Sequence, residues 1–152
     1  MGIETHLKNL SPRELQAGFV VREGYQGSGG FMPSHGDNYV FGCSFDGTSL
    51  GYAVLRVRFG QTVVWDHFYP LDHAPALVGK KTGIGTLAHV NILDHLQETA
   101  FVDDCATVVH SRTTNGRDIH LDKMGVGHGM PFSEYRARSR QYAVVRKGFT
   151  FD

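Results

Sequence analysis

The segment Lys80-Lys-Thr-Gly-Ile-Gly-Thr86 runs straight into an amphipathic stretch that ends near Thr99. It combines basic residues, two glycines one apart and a helix start. The first N–H groups of a helix have no acceptor one turn back, and they lie at the positive end of the helix dipole. Where glycines stand there, no side chain keeps an anion away. The chemistry on offer is capture of a phosphate or pyrophosphate. Lys80 and Lys81 would neutralise its charge, Thr82 would add a hydroxyl, and the main chain from Gly83 through Ile84, Gly85 and Thr86 would supply N–H donors. The plainer reading of the same residues is a solvated lysine pair before an ordinary glycine-rich helix start.

Other anion loops fit less well. A P-loop needs Gly, four residues, then Gly-Lys-Ser/Thr. Here Gly79-Lys80 is followed by Lys81, and the position five before Gly79 is Ala74. The dinucleotide fingerprint wants a third glycine at the place of Ala88, which it tolerates, but no second strand–helix unit follows in the right order. Nine histidines invite a metal hypothesis. None forms His-x-x-x-His, none is accompanied by the glutamate of a zincin, and Cys43 and Cys105 lack Cys-x-x-Cys spacing, so no metal is expected. Both cysteines sit in apolar strand-like runs. They are expected to be buried free thiols of a reducing compartment rather than nucleophiles or a disulfide.

The elements that must position these residues come from a chain of 152 residues, enough for one domain, residues 1–152, with a real core. Hydrophobic residues make up 41% and charged residues 20%, which excludes disorder. Lys+Arg and Asp+Glu are 15 each, so no net field favours nucleic acid or an anionic membrane. No apolar run approaches a membrane span and the N-terminus is not a signal peptide, so a cytoplasmic protein is expected.

Ile3 to Leu7 reads as a short strand, and Ser11-Pro-Arg-Glu14 as a capped helix start with an apolar stripe at Leu15, Phe19 and Val20. Gly24 to Asn38 is a glycine-rich loop, with Tyr25, Phe31 and Met32 able to line an apolar pocket. Tyr39–Phe45 alternates, Asp46-Gly47 signals a hairpin, and Leu50–Phe59 and Thr62–Tyr69 complete an antiparallel meander. After a loop from Leu71 to Gly79 come a helix from Gly85 to about Thr99 and a strand from Cys105 to His110. Asn115 to Met124 reads as a short helix ending at Gly125, and Gln141 to Arg146 as a terminal strand, paired with one starting near Tyr135. The alternating Arg136, Arg138 and Arg140, with Arg146 and Lys147, mark one face of that strand. The class is α+β with a mixed, mostly antiparallel central sheet flanked by helices.

The motif basic-x-x-Gly-x-Gly, met by Lys80, Gly83 and Gly85, resembles the coenzyme A pyrophosphate loop of the GNAT acyltransferase superfamily. The order of elements is similar to that fold along nearly the whole chain, and Asn115 to Val126 looks like the family's closing helix. The resemblance implies a sheet splayed between its fourth and fifth strands, Thr62–Tyr69 and Cys105–His110, with the pantetheine arm of acetyl-coenzyme A in the gap. It implies transfer of an acetyl or small acyl group to an amine, on a small molecule or a protein, by direct attack on the thioester. Backbone N–H groups at the end of the fourth strand would hold the oxyanion, with Phe68 and Tyr69 beside the cofactor and Asn115 on the pantetheine or capping the last helix. A base is needed, and Asp66 and His67 lie at the right place, on opposite faces of the strand; His67 is favoured for its near-neutral pKa. Two departures stand out: Asp72 to Gly79 is an insertion, and the family's acid tyrosine falls on Leu121 or Asp122. Tyr135, His128 or His120 would have to replace it. The missing tyrosine motivates the alternative, a coenzyme A-binding or protein-interaction module without turnover. Pairing of terminal strands or sheet edges could make a homodimer.

Overall fold

The computed structural model describes residues 3–27, 29–59, 61–70, 83–100, 102–110, 125–126 and 129–151, with the backbone alone at 3–4, 65–70 and 110. The chain opens with two short helices, α1 (Ile3–Lys8) and α2 (Pro12–Gly18). The first was expected as a strand. Five residues cannot distinguish period 2 from period 3.6, and Glu4, Leu7 and Lys8 are good helix formers. As a helix it buries Leu7 completely and brings the His6 ring edge-on to Phe45, centroids 5.9 Å apart. The start of α2 is as read: Ser11 Oγ accepts from Glu14 N–H at 3.2 Å, and Glu14 Oε1 accepts from Ser11 N–H at 2.9 Å. These hydrogen bonds hold the Glu14 carboxyl below its usual value.

The strands are β1 (Phe19–Glu23), β2 (Tyr25–Gly27), β3 (Gly30–Met32), β4 (Asn38–Phe45), β5 (Thr48–Arg58), β6 (Thr62–Pro70), β7 (Thr107–His110) and β8 (Met130–Pro131). Six of them form one sheet in the order β1-β4-β5-β6-β7-β8. Only the β6–β7 pair is parallel, and the crossover between them carries helix α3 (Ile84–Ala100). The predicted meander is β4–β5–β6. Its first turn, Asp46-Gly47, has positive φ at both residues (46° and 82°), the backbone a two-residue hairpin of right-twisted strands requires. The loop expected from Gly24 to Asn38 contains the separate hairpin β2–β3.

The terminal strand does not exist. Phe132–Lys147 is helix α4. Its buried residues are Phe132, Tyr135, Ser139 and Ala143, spaced three, four and four apart, which is one helical face. The arginines that alternate along this stretch merely stand beside that face. Arg138 pairs with Glu134 one turn back at 2.9 Å, Arg146 and Lys147 sit in the last turn, and Gly148 closes the helix with φ 76°. α3 and α4 pack together, tied by Asp94, whose carboxylate accepts from Arg136 Nε at 2.6 Å and lies 3.6 Å from Arg140. Helices α1–α4 cover one face of the sheet, where Phe41, Cys43, Ala53, Leu55, Val57, Val63 and Val108 meet Leu87, Val90, Leu93 and Leu96 in a single core.

The two cysteines part company. Cys43 is 2% exposed on β4, and burial pushes its thiol up to about 12. Cys105 was also expected in a strand, but β7 begins at Thr107. Cys105 lies in the preceding turn, its N–H donating to Asp103 Oδ1 at 2.8 Å, and is exposed. The apolar Ala106 and Val108 made the run look continuous, whereas Asp103 and Asp104 turn it. An aromatic disulfide reagent at about pH 8 should therefore label one thiol of the native chain, Cys105, and two after denaturation. Rapid labelling of both in the native state would contradict the burial of Cys43.

Candidate functional site

In a parallel strand–helix–strand unit the helix starts at the carboxyl end of the strands, the end at which open α/β sheets bind their ligands. Here that end belongs to β6. The strand is paired with β5 from Thr62 to Pro70, and its residues Thr62 to Trp65 are paired with Thr107 to His110 of β7, the last residue of β7 that is described. The register against β5 breaks at Asp66. Trp65 faces Leu55 and His67 faces Val54, so Asp66 is an extra residue, a β-bulge. Bulges leave a main-chain group out of the ladder and occur preferentially beside active sites.

The sequence-derived base candidates lie on this bulge. Asp66 is the inserted residue itself and His67 the first residue re-paired after it. The expectation that they alternate simply across the strand is corrected to this extent: between Trp65 and His67 the regular two-residue period is interrupted. Phe68 and Tyr69 follow, opposite Ala53 and Tyr52.

The glycine turn is described from Gly83. Gly83 has φ +84° and its carbonyl accepts the first helical hydrogen bond, from Leu87 N–H at 3.1 Å. It is therefore the N-cap, in a conformation that favours glycine. The N–H groups of Gly85 and Thr86 precede the first intrahelical bond. The two glycines differ in surroundings. A Cβ on Gly83 would sit 3.3 Å from the Phe149 ring and 3.9 Å from Leu15, whereas one on Gly85 would meet nothing within 4 Å. Ile84 and Thr86 point inward, 3% and 1% exposed. The turn is anchored through alternate residues and open at Gly85. Lys80, Lys81, Thr82 and Asn115, with His120 and the expected helix from Asn115 to Met124, lie outside the described residues, as do His128 and the insertion from Asp72 to Gly79.

Tyr135 is far from open. It is fully buried on α4, and its ring lies against that of His89 on α3, centroids 5.4 Å apart. The apolar residues of the expected Gly24–Asn38 loop are brought together differently than a loop suggests. Tyr25 is buried and stacked on Tyr52 of β5, at 4.6 Å, while Phe31 and Met32 on β3 stay exposed. Tyr52 and the bulge were missed by sequence reasoning. An aspartate inside the β-branched and aromatic run of β6 was the available signal, since Asp is depleted from strand interiors.

Among the described residues no group of three or more His, Cys, Asp or Glu is placed to hold a metal ion, and no helix is long and apolar enough to cross a membrane. No protein-family model, curated protein or solved structure matches the chain.

The contrast between the two glycines is measurable. Gly83→Ala should cost about 1–2 kcal/mol from the left-handed backbone alone, more if Phe149 cannot yield. Gly85→Ala should be neutral or stabilise by about 0.4–1 kcal/mol. Urea unfolding of both variants checks this; equal losses would refute the assigned cap.

Proposed function

We propose that this protein is an N-acyltransferase of GNAT type, moving an acetyl or small acyl group from coenzyme A to an amine. The observation that carries the reading is the bulge at Asp66, toward the carboxyl end of the strand that leads into the parallel crossover. Attack on a thioester carbonyl places negative charge on its oxygen, and main-chain N–H groups released from a ladder are the donors such an oxyanion needs. The strand carboxyl end and the N-terminus of α3 then serve one substrate. The acyl group lies at the bulge of β6, and the diphosphate rests on the N–H groups of Gly85 and Thr86 with Lys80, Lys81 and Thr82 just before them in the sequence.

The reaction needs few side chains. The neutral amine attacks the carbonyl carbon, the C–N bond forms, and the tetrahedral intermediate collapses with cleavage of the C–S bond. The coenzyme A thiolate leaves and is protonated, and the extra proton on the new amide nitrogen goes to a base. His67, or Asp66 through water, is the assigned base. The burial of Tyr135 between α3 and α4 favours, as a second reading, a domain that binds coenzyme A without turnover, because that tyrosine is not at hand as an acid.

Calorimetry with acetyl-coenzyme A, followed by thiol release over a panel of amines, tests both. Binding with turnover is expected of the intact chain. Gly85→Glu should weaken acetyl-coenzyme A by at least about tenfold, about 1.4 kcal/mol, with an unchanged melting temperature. Gly85 is the cleaner position for this test than Gly83, where Phe149 and the positive φ add a folding cost. Absence of binding by the intact chain would remove the acyltransferase reading; binding with no thiol release on any amine would select the second.

A further inference from the structure

The turn between β5 and β6 holds a phenylalanine out in solvent. Phe59 is 94% exposed and has φ at +55°, a left-handed backbone that a bulky side chain rarely adopts. A strained, exposed aromatic brings the folded chain no packing in return, and such outliers cluster at functional positions. The turn is fixed in place: Gln61 N–H donates to the Arg58 carbonyl at 2.9 Å, and the Gln61 carbonyl accepts from Thr107 N–H at 2.9 Å. This end of the molecule is acidic. Asp103 and Asp104 stand just before β7, and the Asp37 main chain is bonded to Val57. From His95 to His110 the chain has Glu98, Asp103 and Asp104 but no Lys or Arg, so with Asp37 there are four carboxylates against Arg56 and Arg58.

Helix α4 starts at the same end, where Phe132 N–H donates to the Ala106 carbonyl and Ser133 N–H to that of Asp104. Its 16 residues carry it about 24 Å toward the other end. There Arg140, Gln141, Val144, Val145 and Phe151 line an open groove of about 310 Å³. Val145 is 68% exposed, and the Arg140 guanidinium lies 5.3 Å from the centre of the Phe151 ring. From Arg136 to Lys147 the helix has five cations and no Asp or Glu. Asp94, Glu134 and Asp152 answer three of the five, which leaves this end positive.

We infer that the Phe59 turn of one copy seats in the α4 groove of a second copy, so that the protein associates head to tail. The ring would lie against Val144, Val145 and Phe151, beside the Arg140 guanidinium. The acidic end of one copy would meet the basic end of the next. Because the two surfaces lie at opposite ends of the molecule, the contact is heterologous, and each added copy leaves one of each surface free. One ring in one groove is a small interface, so the association is weak. Nothing in it depends on the acyl-transfer reading.

Sedimentation equilibrium of the full chain from about 0.05 to about 1 mM tests the contact. The weight-average mass should rise with concentration from 16.8 kDa past that of two chains. The rise should shrink in about 0.5 M salt. Phe59→Asn, which suits the left-handed backbone, and Val145→Glu, at an exposed position, should each hold the mass near 16.8 kDa with no loss of melting temperature. Mixed in equal amounts the two variants should associate again, since the first keeps its groove and the second its Phe59, but never beyond two chains. An intact chain that stays at 16.8 kDa throughout overturns the contact and gives Phe59 a partner other than this chain. Variants that still associate alone, or a mixture that stays monomeric, overturn it as well.

Discussion

Strand β6 pairs with β5 through eight of its nine residues, and the register changes at the ninth, Asp66. The hydrophobic pattern of the strand fixes where the change occurs. Val63 and Trp65 stand opposite Val57 and Leu55, which belong to the helix-covered face. With an unbroken period of two, His67 would come next on that face and Phe68 would be turned away. Insertion of Asp66 instead brings Phe68 opposite the fully buried Ala53. A side-chain period of two makes a one-residue slip a complete exchange of faces, and the bulge sets Trp65 and Phe68, three apart in the sequence, opposite the buried Leu55 and Ala53 of β5. The altered backbone that results is the feature on which the proposed chemistry draws.

The parallel step from β6 to β7 requires a crossover, and the helix in it must bury a stripe. α3 does so almost all round, with Leu87, Val90, Leu93 and Leu96 in the core and His89 against Tyr135. Its C-terminal half is fastened to α4 by Asp94 and Arg136. Its N-terminus is fastened by Ile84, Thr86 and the packing of Phe149 over Gly83. A helix held at both ends presents its first turn in one place, which is the condition for a main-chain anion site to be preorganised rather than assembled on binding. The same packing uses up Tyr135 as a structural residue.

Much of the scaffold was legible because its signals are local. The capping box at Ser11 and Glu14, the Asp46-Gly47 turn and the alternation of Tyr39–Phe45 each state a geometry in a few residues. The failures have equally definite causes. At Ile3–Lys8 the segment is shorter than the difference between the two periods can reveal. At Phe132–Lys147 the charged residues alternate while the apolar ones, read through Tyr135, Ser139 and Ala143, follow the helix. At Cys105 an apolar run hid a turn made by the two aspartates before it. The candidate site was legible only in part. The glycine turn announces itself, but the bulge at Asp66 depends on which strand is paired with which, and the Tyr25–Tyr52 stack joins residues on separate elements that no short-range pattern links.

The proposed reaction asks more of its base than of its acid. A thiol leaves from an ordinary pKa of about 8.5, so near neutral pH its thiolate is a tolerable leaving group and water can protonate it. An alkylamine, with an ordinary value of about 10.4 for the lysine type, is mostly protonated and unreactive at the same pH. Removing that proton is therefore the harder task, and it falls to groups on β6. The lack of a tyrosine between Asn115 and Val126, and the packing of Tyr135 of α4 against His89 of α3, bear on the easier of the two proton transfers. Asp66 and His67 stand at the bulge, the residue inserted into the ladder and the residue after it, where the proposed thioester would lie. In the proposed reaction, a bulge that takes a main-chain group out of the ladder beside an aspartate and a histidine would serve the electrostatic and the proton-transfer requirements with two consecutive residues of one strand.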